Sequence, residues 1–97
     1  NDGIDFTARA GTKVVAADTG LVATVTEDIN QIAIVVLKHS GNILTVYANL
    51  TNIKVSTNQN VNRGDILGEI PNGDPPYLHF EIREGFESVD PLEYLNN

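Results

Sequence analysis

"IAIVVLKHSGNILTVYANL", residues 32–50, decides the fold class. Two runs rich in Val, Ile, Thr and Tyr, 32–39 and 43–50, flank "HSGN", whose Gly and Asn suit a reversal of the backbone. The same pattern extends outward in both directions. "GLVATVTE" (20–27) and "TKVVAA" (12–17) precede it, separated by the turn-forming "ADTG" and "DINQ". "VNRGDILGEI" (61–70) reads as one further strand and "LHFEIR" (78–83) as another. "VDPLEYLNN" (89–97) is expected to close the chain with a short helical turn, Asp90 as its N-cap and Pro91 at the first helical position. No ten-residue stretch carries a 3.6-residue period. The expected fold is therefore all-β, a small antiparallel sandwich or partly open barrel with a short C-terminal helical turn.

Composition bounds what such a domain does. Ninety-seven residues, 41% hydrophobic and 20% charged, suit one small globular domain with a single core. The net charge is −7 and the six Lys and Arg residues are scattered, which argues against nucleic acid and against docking on an anionic membrane. No apolar run has the length of a membrane span and nothing resembles a signal peptide. The chain opens on "NDGID" without an initiator Met, as a cut domain or mature fragment would. With no cysteine, disulfides and Cys-ligated zinc are excluded, and either redox compartment is open.

A faint internal echo joins "GTKVVAADTGLVATV" (11–25) to "VNRGDILGEI", with the glycine spacing of barrel-sandwich domains. Lipoyl and biotinyl carriers share it, but they need a modifiable lysine at a hairpin tip. Lys13, Lys38 and Lys54 lie within or beside strand-like stretches instead, which sets the carrier reading aside.

Taken in order, "GID" (3–5), "GTKVVAADTGLV" (11–22), "LTVYANL" (44–50), "VNRGDILGEI", "LHFEIR" and "VDPLEYL" (89–95) resemble the lysostaphin/LytM-type zinc endopeptidases, which cut peptide cross-bridges in bacterial cell walls. The resemblance covers essentially the whole chain, read as one domain over 1–97 that lacks the family's first N-terminal strand. It implies a zinc ion held by a His-x-x-x-Asp pair and by the second His of a His-x-His pair. Two more histidines, the first of His-x-His and one in Tyr-Ala-His, would act on substrate and water. In His-x-His, strand alternation sends both rings to one face.

Carried over by position, the ligand places fall on Asn1, Asp5 and His79, and the two catalytic histidines become Asn49 and Tyr77. Three of the five residues are thus replaced. "PNGDPP" (71–76) is also shorter than the family's usual loop before the histidine pair. An Asn amide competes poorly with imidazole for zinc, Asn49 has no nitrogen to accept a proton, and Tyr77 makes a poor base near neutral pH. The expectation is a dead site with no cofactor, at most vestigial weak zinc binding by Asp5 and His79. Its groove, lined by Asn1, Asp5, Asn49, Tyr77 and His79, becomes a partner-binding surface. The resemblance is to the degenerate EnvC/NlpD-type amidase activators of the bacterial cell envelope, periplasmic or at the cell surface. The implied partner is a peptidoglycan amidase or another cell-wall protein. The alternatives are a silent peptidoglycan-binding module and an active zinc endopeptidase with unusual ligands.

Blander readings stand beside these. His79 is most simply a relic whose ring bonds to Asp5 or a neighbour, and His39 in "KHSG" a structural residue outside the metal shell. Glu84 and Glu87 in "EGFES" read as a solvated hairpin, and Asp18, Asp28, Asp65 and Asp74 as turn formers.

Overall fold

In "AIVVLK" the alternation sends Ala33, Val35 and Leu37 to one face, where all three are fully buried. That face is the inner side of the main sheet, and it sets the frame for the molecule. The computed structural model describes residues 3–85 and 87–92. Its strands are β1 (Ile4–Thr7), β2 (Lys13–Val15), β3 (Gly20–Glu27), β4 (Ala33–Lys38), β5 (Ile43–Leu50), β6 (Asn60–Val61), β7 (Ile66–Glu69), β8 (Tyr77–Glu84) and β9 (Glu87–Val89). Seven of them form one open antiparallel sheet in the order β1-β8-β5-β4-β3-β6, with β9 also on β8, while β2 and β7 pair as a separate two-stranded sheet. Val14 of β2 and Leu67 of β7 share one core cluster with Val22, Val35, Leu37, Tyr47, Phe80 and Ile82 of the main sheet. The small sheet thus covers one face of the large one, and the all-β antiparallel expectation holds.

Three local expectations are corrected. "VNRGDILGEI" is not one strand. A turn at Asn62–Asp65 breaks it, with Asn62 N–H donating to Asp65 Oδ2 at 2.8 Å and Gly64 at φ +89°, a value that favours glycine. β6 therefore joins β3 and β7 joins β2, in different sheets. β1 was not anticipated as a strand, whereas β9 pairs with β8 at Glu84 and Glu87, in the hairpin read from "EGFES". The "HSGN" turn holds a short 3₁₀ segment, Ser40–Asn42, before β5 begins. At the C-terminus Pro91 and Leu92 are helical and Leu92 N–H donates to Asp90 Oδ1 at 2.9 Å, as an N-cap does. The rest of the expected turn, like Asn1, lies outside the described residues.

One polar chain crosses the interior. His39 Nδ1 is 2.8 Å from the Thr19 carbonyl and Nε2 is 2.7 Å from the Thr45 hydroxyl. Thr45 is hydrogen-bonded to the Tyr47 hydroxyl at 2.9 Å, and Ala17 N–H donates to that hydroxyl at 3.0 Å. Burial raises the Tyr47 phenol pKa, so it stays neutral and able to serve both neighbours. His39 is thus a structural residue tying β4 to β5 and to the chain between β2 and β3.

Candidate functional site

The outer face of the main sheet carries the candidate site, and strand register builds it. Thr26 of β3 opposes Ile34 of β4, Ile34 opposes Ala48 of β5, Ala48 opposes His79 of β8, and His79 opposes Asp5 of β1. Residues paired in this way have Cβ atoms about 5 Å apart on a common face, so the five form a row across the sheet. Two positions along β8, Glu81 lies on the same face as His79, and Arg83 follows it.

The side chains of that column are joined end to end. His79 Nδ1 lies 2.6 Å from Asp5 Oδ1 and Nε2 lies 2.8 Å from Glu81 Oε2. Glu81 is held from its other side by Arg83, whose Nε and Nη2 reach Glu81 Oε1 at 3.0 and 2.7 Å. The hydrogen bond to Asp5, with Glu81 adding to it against the cost of partial burial, raises the His79 pKa above its usual range. Each ring nitrogen faces a carboxylate acceptor, so the favoured ring is the imidazolium, donating at both ends.

Asn49 and Tyr77 complete the site. Asn49 ends β5 with φ +66°, a left-handed value that Asn tolerates better than most residues, and its side-chain amide donates to the Tyr77 carbonyl at 2.8 Å. This bond pins the start of β8 and leaves the Tyr77 ring 37% exposed. Asn49, Tyr77 and His79 then line one wall of an open groove of about 460 Å³. The opposite wall comes from the β3–β4 hairpin, through Thr26, Glu27, Asp28, Ile32 and Ile34.

The structure therefore brings together Asp5, Asn49, Tyr77 and His79. Glu81, Arg83 and the hairpin wall were missed by sequence reasoning. Glu81 had a signal, since the alternation of "LHFEIR" places it on the face of His79.

A zinc ion does not fit the described residues. Among them no group of three His, Cys, Asp or Glu side chains is placed to hold a metal ion. The physical reason is the donor set: Asp5 and His79 stand together, 2.6 Å apart, but Asn49 and Tyr77 beside them offer neither an imidazole nor a carboxylate to complete a zinc shell.

The fold is thus two antiparallel layers with an open groove on the outer face of the main sheet, bordered by His79. Comparison with known proteins names its family. The model of Peptidase family M23 matches residues 1–91, and the chain belongs to that family. It is 34% identical over 98% of its length to the uncharacterized lipoprotein YgeR of Escherichia coli, covering 39% of that protein. It is 30% identical over 98% of its length to the murein hydrolase activator NlpD of E. coli, covering 26% of it. The cell division protein DipM of Caulobacter vibrioides is 32% identical over 86% of the chain, which covers 14% of DipM. The chain thus spans well under half of these relatives. Among solved structures, the catalytic domain of the prophage-encoded M23 protein EnpA from Enterococcus faecalis, an A109H mutant, superposes with a TM-score of 0.84 at 29% identity, covering 97% of this chain and 78% of that one. The lysostaphin catalytic domain from Staphylococcus simulans gives a TM-score of 0.87 at 24% identity, over 100% of this chain and 80% of that one, a likeness of fold alone.

Proposed function

We propose that this domain is a catalytically inactive M23 member that regulates a peptidoglycan amidase in the bacterial cell envelope, binding it through the groove lined by Asn49, Tyr77 and His79. The observation that carries the reading is the residue set of the groove: His79 and Asp5 stand together, bonded at 2.6 Å, while Asn49 and Tyr77 occupy the positions of the family's two catalytic histidines. Without a Lewis acid or a general base, the groove lacks the main sources of rate enhancement for amide hydrolysis. What remains is a recess beside a partly exposed tyrosine, and a buried aromatic is a frequent anchor in protein interfaces. The names of relatives support the cellular setting: two are a murein hydrolase activator and a cell division protein, and others are called lipoproteins.

The test is amidase activation on purified sacculi, with single variants of this domain. Tyr77→Ala and Asn49→Ala should each lower activation, whereas Glu84→Ala, away from the groove, should not. If both groove variants activate like the parent, the groove is not the binding surface. Release of wall peptides by the domain alone would contradict the inactive reading.

A further inference from the structure

The two faces of the main sheet are covered unequally. The inner face lies under β2 and β7, whereas the outer face carries apolar side chains that no element among the described residues covers. Ile34 is 41% exposed. Beside it Val36 opposes Val46, and both are only half-buried. At the end of this face the β3–β4 turn presents Ile29, which is 99% exposed. That turn is tightly fixed. Asp28 Oδ1 accepts from the backbone N–H of Asn30 at 2.8 Å and of Ile32 at 3.0 Å, and Asp28 N–H donates to the Ile32 carbonyl at 2.9 Å. A large apolar side chain on a pre-ordered turn loses little entropy when a partner covers it.

Charge narrows the partner. Glu27 and Asp28 line the groove and no Lys or Arg does. His79, the one basic side chain on its wall, lies between the carboxylates of Asp5 and Glu81. The groove is therefore apolar along its floor and anionic at its hairpin end. A second copy of this chain, with net charge −7, would set like charges against each other, and so would the carboxylates of wall stem peptides.

We propose that this face and the Asp28-fixed turn dock a basic, amphipathic polypeptide segment of a partner protein, with Ile29 and Ile34 as apolar anchors and Glu27 and Asp28 facing its Lys and Arg residues. This rests on the reading of the groove as a partner-binding surface, and it specifies the chemistry of the partner.

The experiment is an NMR titration of the ¹⁵N-labelled domain with two synthetic peptides of equal length, one built of Leu and Lys and the other of Leu and Glu. The Leu–Lys peptide should shift the amides of Ile29, Ile34, Ala48 and Tyr77, with an affinity that falls as salt rises. The Leu–Glu peptide should bind at least tenfold more weakly. Ile29→Ser and Ile34→Thr alter exposed positions and keep the fold, and each should weaken Leu–Lys binding about tenfold. Glu27→Lys should weaken it too, whereas Val15→Ser on the small sheet should not. Equal binding of both peptides, shifts centred on Val15 and Ile66, or parental affinity in Ile29→Ser would each overturn the proposal. The amidase assay separates the two levels. If Tyr77→Ala and Asn49→Ala lower activation while Ile29→Ser and Glu27→Lys do not, this proposal fails and the groove reading stands. If none of the four lowers it, both fail.

Discussion

Replacing Tyr47 by Phe removes one oxygen from the interior and little else. The ring stays in place, so its tilted contact with Phe80, at 5.3 Å between centroids, and its share of the core are kept. Two hydrogen bonds are lost, one from Ala17 N–H and one with the Thr45 hydroxyl. Thr45 retains His39 as a partner, but the half-buried Ala17 amide loses its acceptor. A net hydrogen bond is worth about 1 kcal/mol, and a stranded buried donor costs about 1–3 kcal/mol. The expected loss is about 2 kcal/mol. For a domain of this size each kcal/mol moves the melting temperature by roughly 4–8 °C, so Tyr47→Phe should melt about 8–16 °C lower. Urea denaturation followed by circular dichroism gives the free energy directly. Thr45→Val in a double-mutant cycle should show coupling of at least about 0.5 kcal/mol, because the two hydroxyls share a bond. A Tyr47→Phe variant within about 0.5 kcal/mol of the parent would refute the claim that this chain of hydrogen bonds ties β5 to the segment between β2 and β3.

Further expectations concern the site. Gly3 has φ +97°, and a β-carbon there would press on the Phe80 carbonyl and come within 2.7 Å of Glu81 Cγ and 3.2 Å of His79 Cε1. Gly3→Ala should therefore lift β1 from β8, seen as lost amide-exchange protection over residues 4–7, at a cost of about 2–4 kcal/mol; unchanged protection would contradict this. Because the folded-state pKa of His79 is raised, its contribution to stability is complete below about pH 6.5 and is lost as pH rises through the higher folded value. The urea midpoint should fall across that window, modestly given the partial exposure of the ring, and His79→Gln should flatten the dependence. Asn1→His, Asn49→His and Tyr77→His together should raise zinc affinity in isothermal titration calorimetry, since added imidazoles supply missing ligands; no gain would show that the surrounding geometry, not ligand identity, is limiting.

Legibility in the sequence followed the range of the interactions. The bounds of β3 and β5 could be read directly, because runs of β-branched residues between strong turn formers are local signals. β1 was hidden because "IDFT" is four residues long at a sheet edge and buries none of them fully, so no alternation marks it. The break in "VNRGDILGEI" rests on a bond between the Asn62 backbone and the Asp65 side chain, and only tertiary pairing sends its two halves to different sheets. At the site, the family positions located Asp5, Asn49, Tyr77 and His79. The hairpin wall was not visible, because the row from Thr26 to Asp5 depends on the register of five strands, which pairing across the whole sheet sets. Glu81 was within reach of simple alternation, but its part in closing His79 required the ring's position.

The central claim is that Asp5 and His79, with Asn49 and Tyr77 beside them, leave the groove short of the ligands a zinc site needs. The most direct test is the zinc content of the purified domain after equilibration with zinc and dialysis against a weak chelator. Well under one equivalent per chain is predicted, because one imidazole and one carboxylate fall short of the three protein ligands a zinc site uses. Near-stoichiometric zinc that survives the chelator would contradict the account.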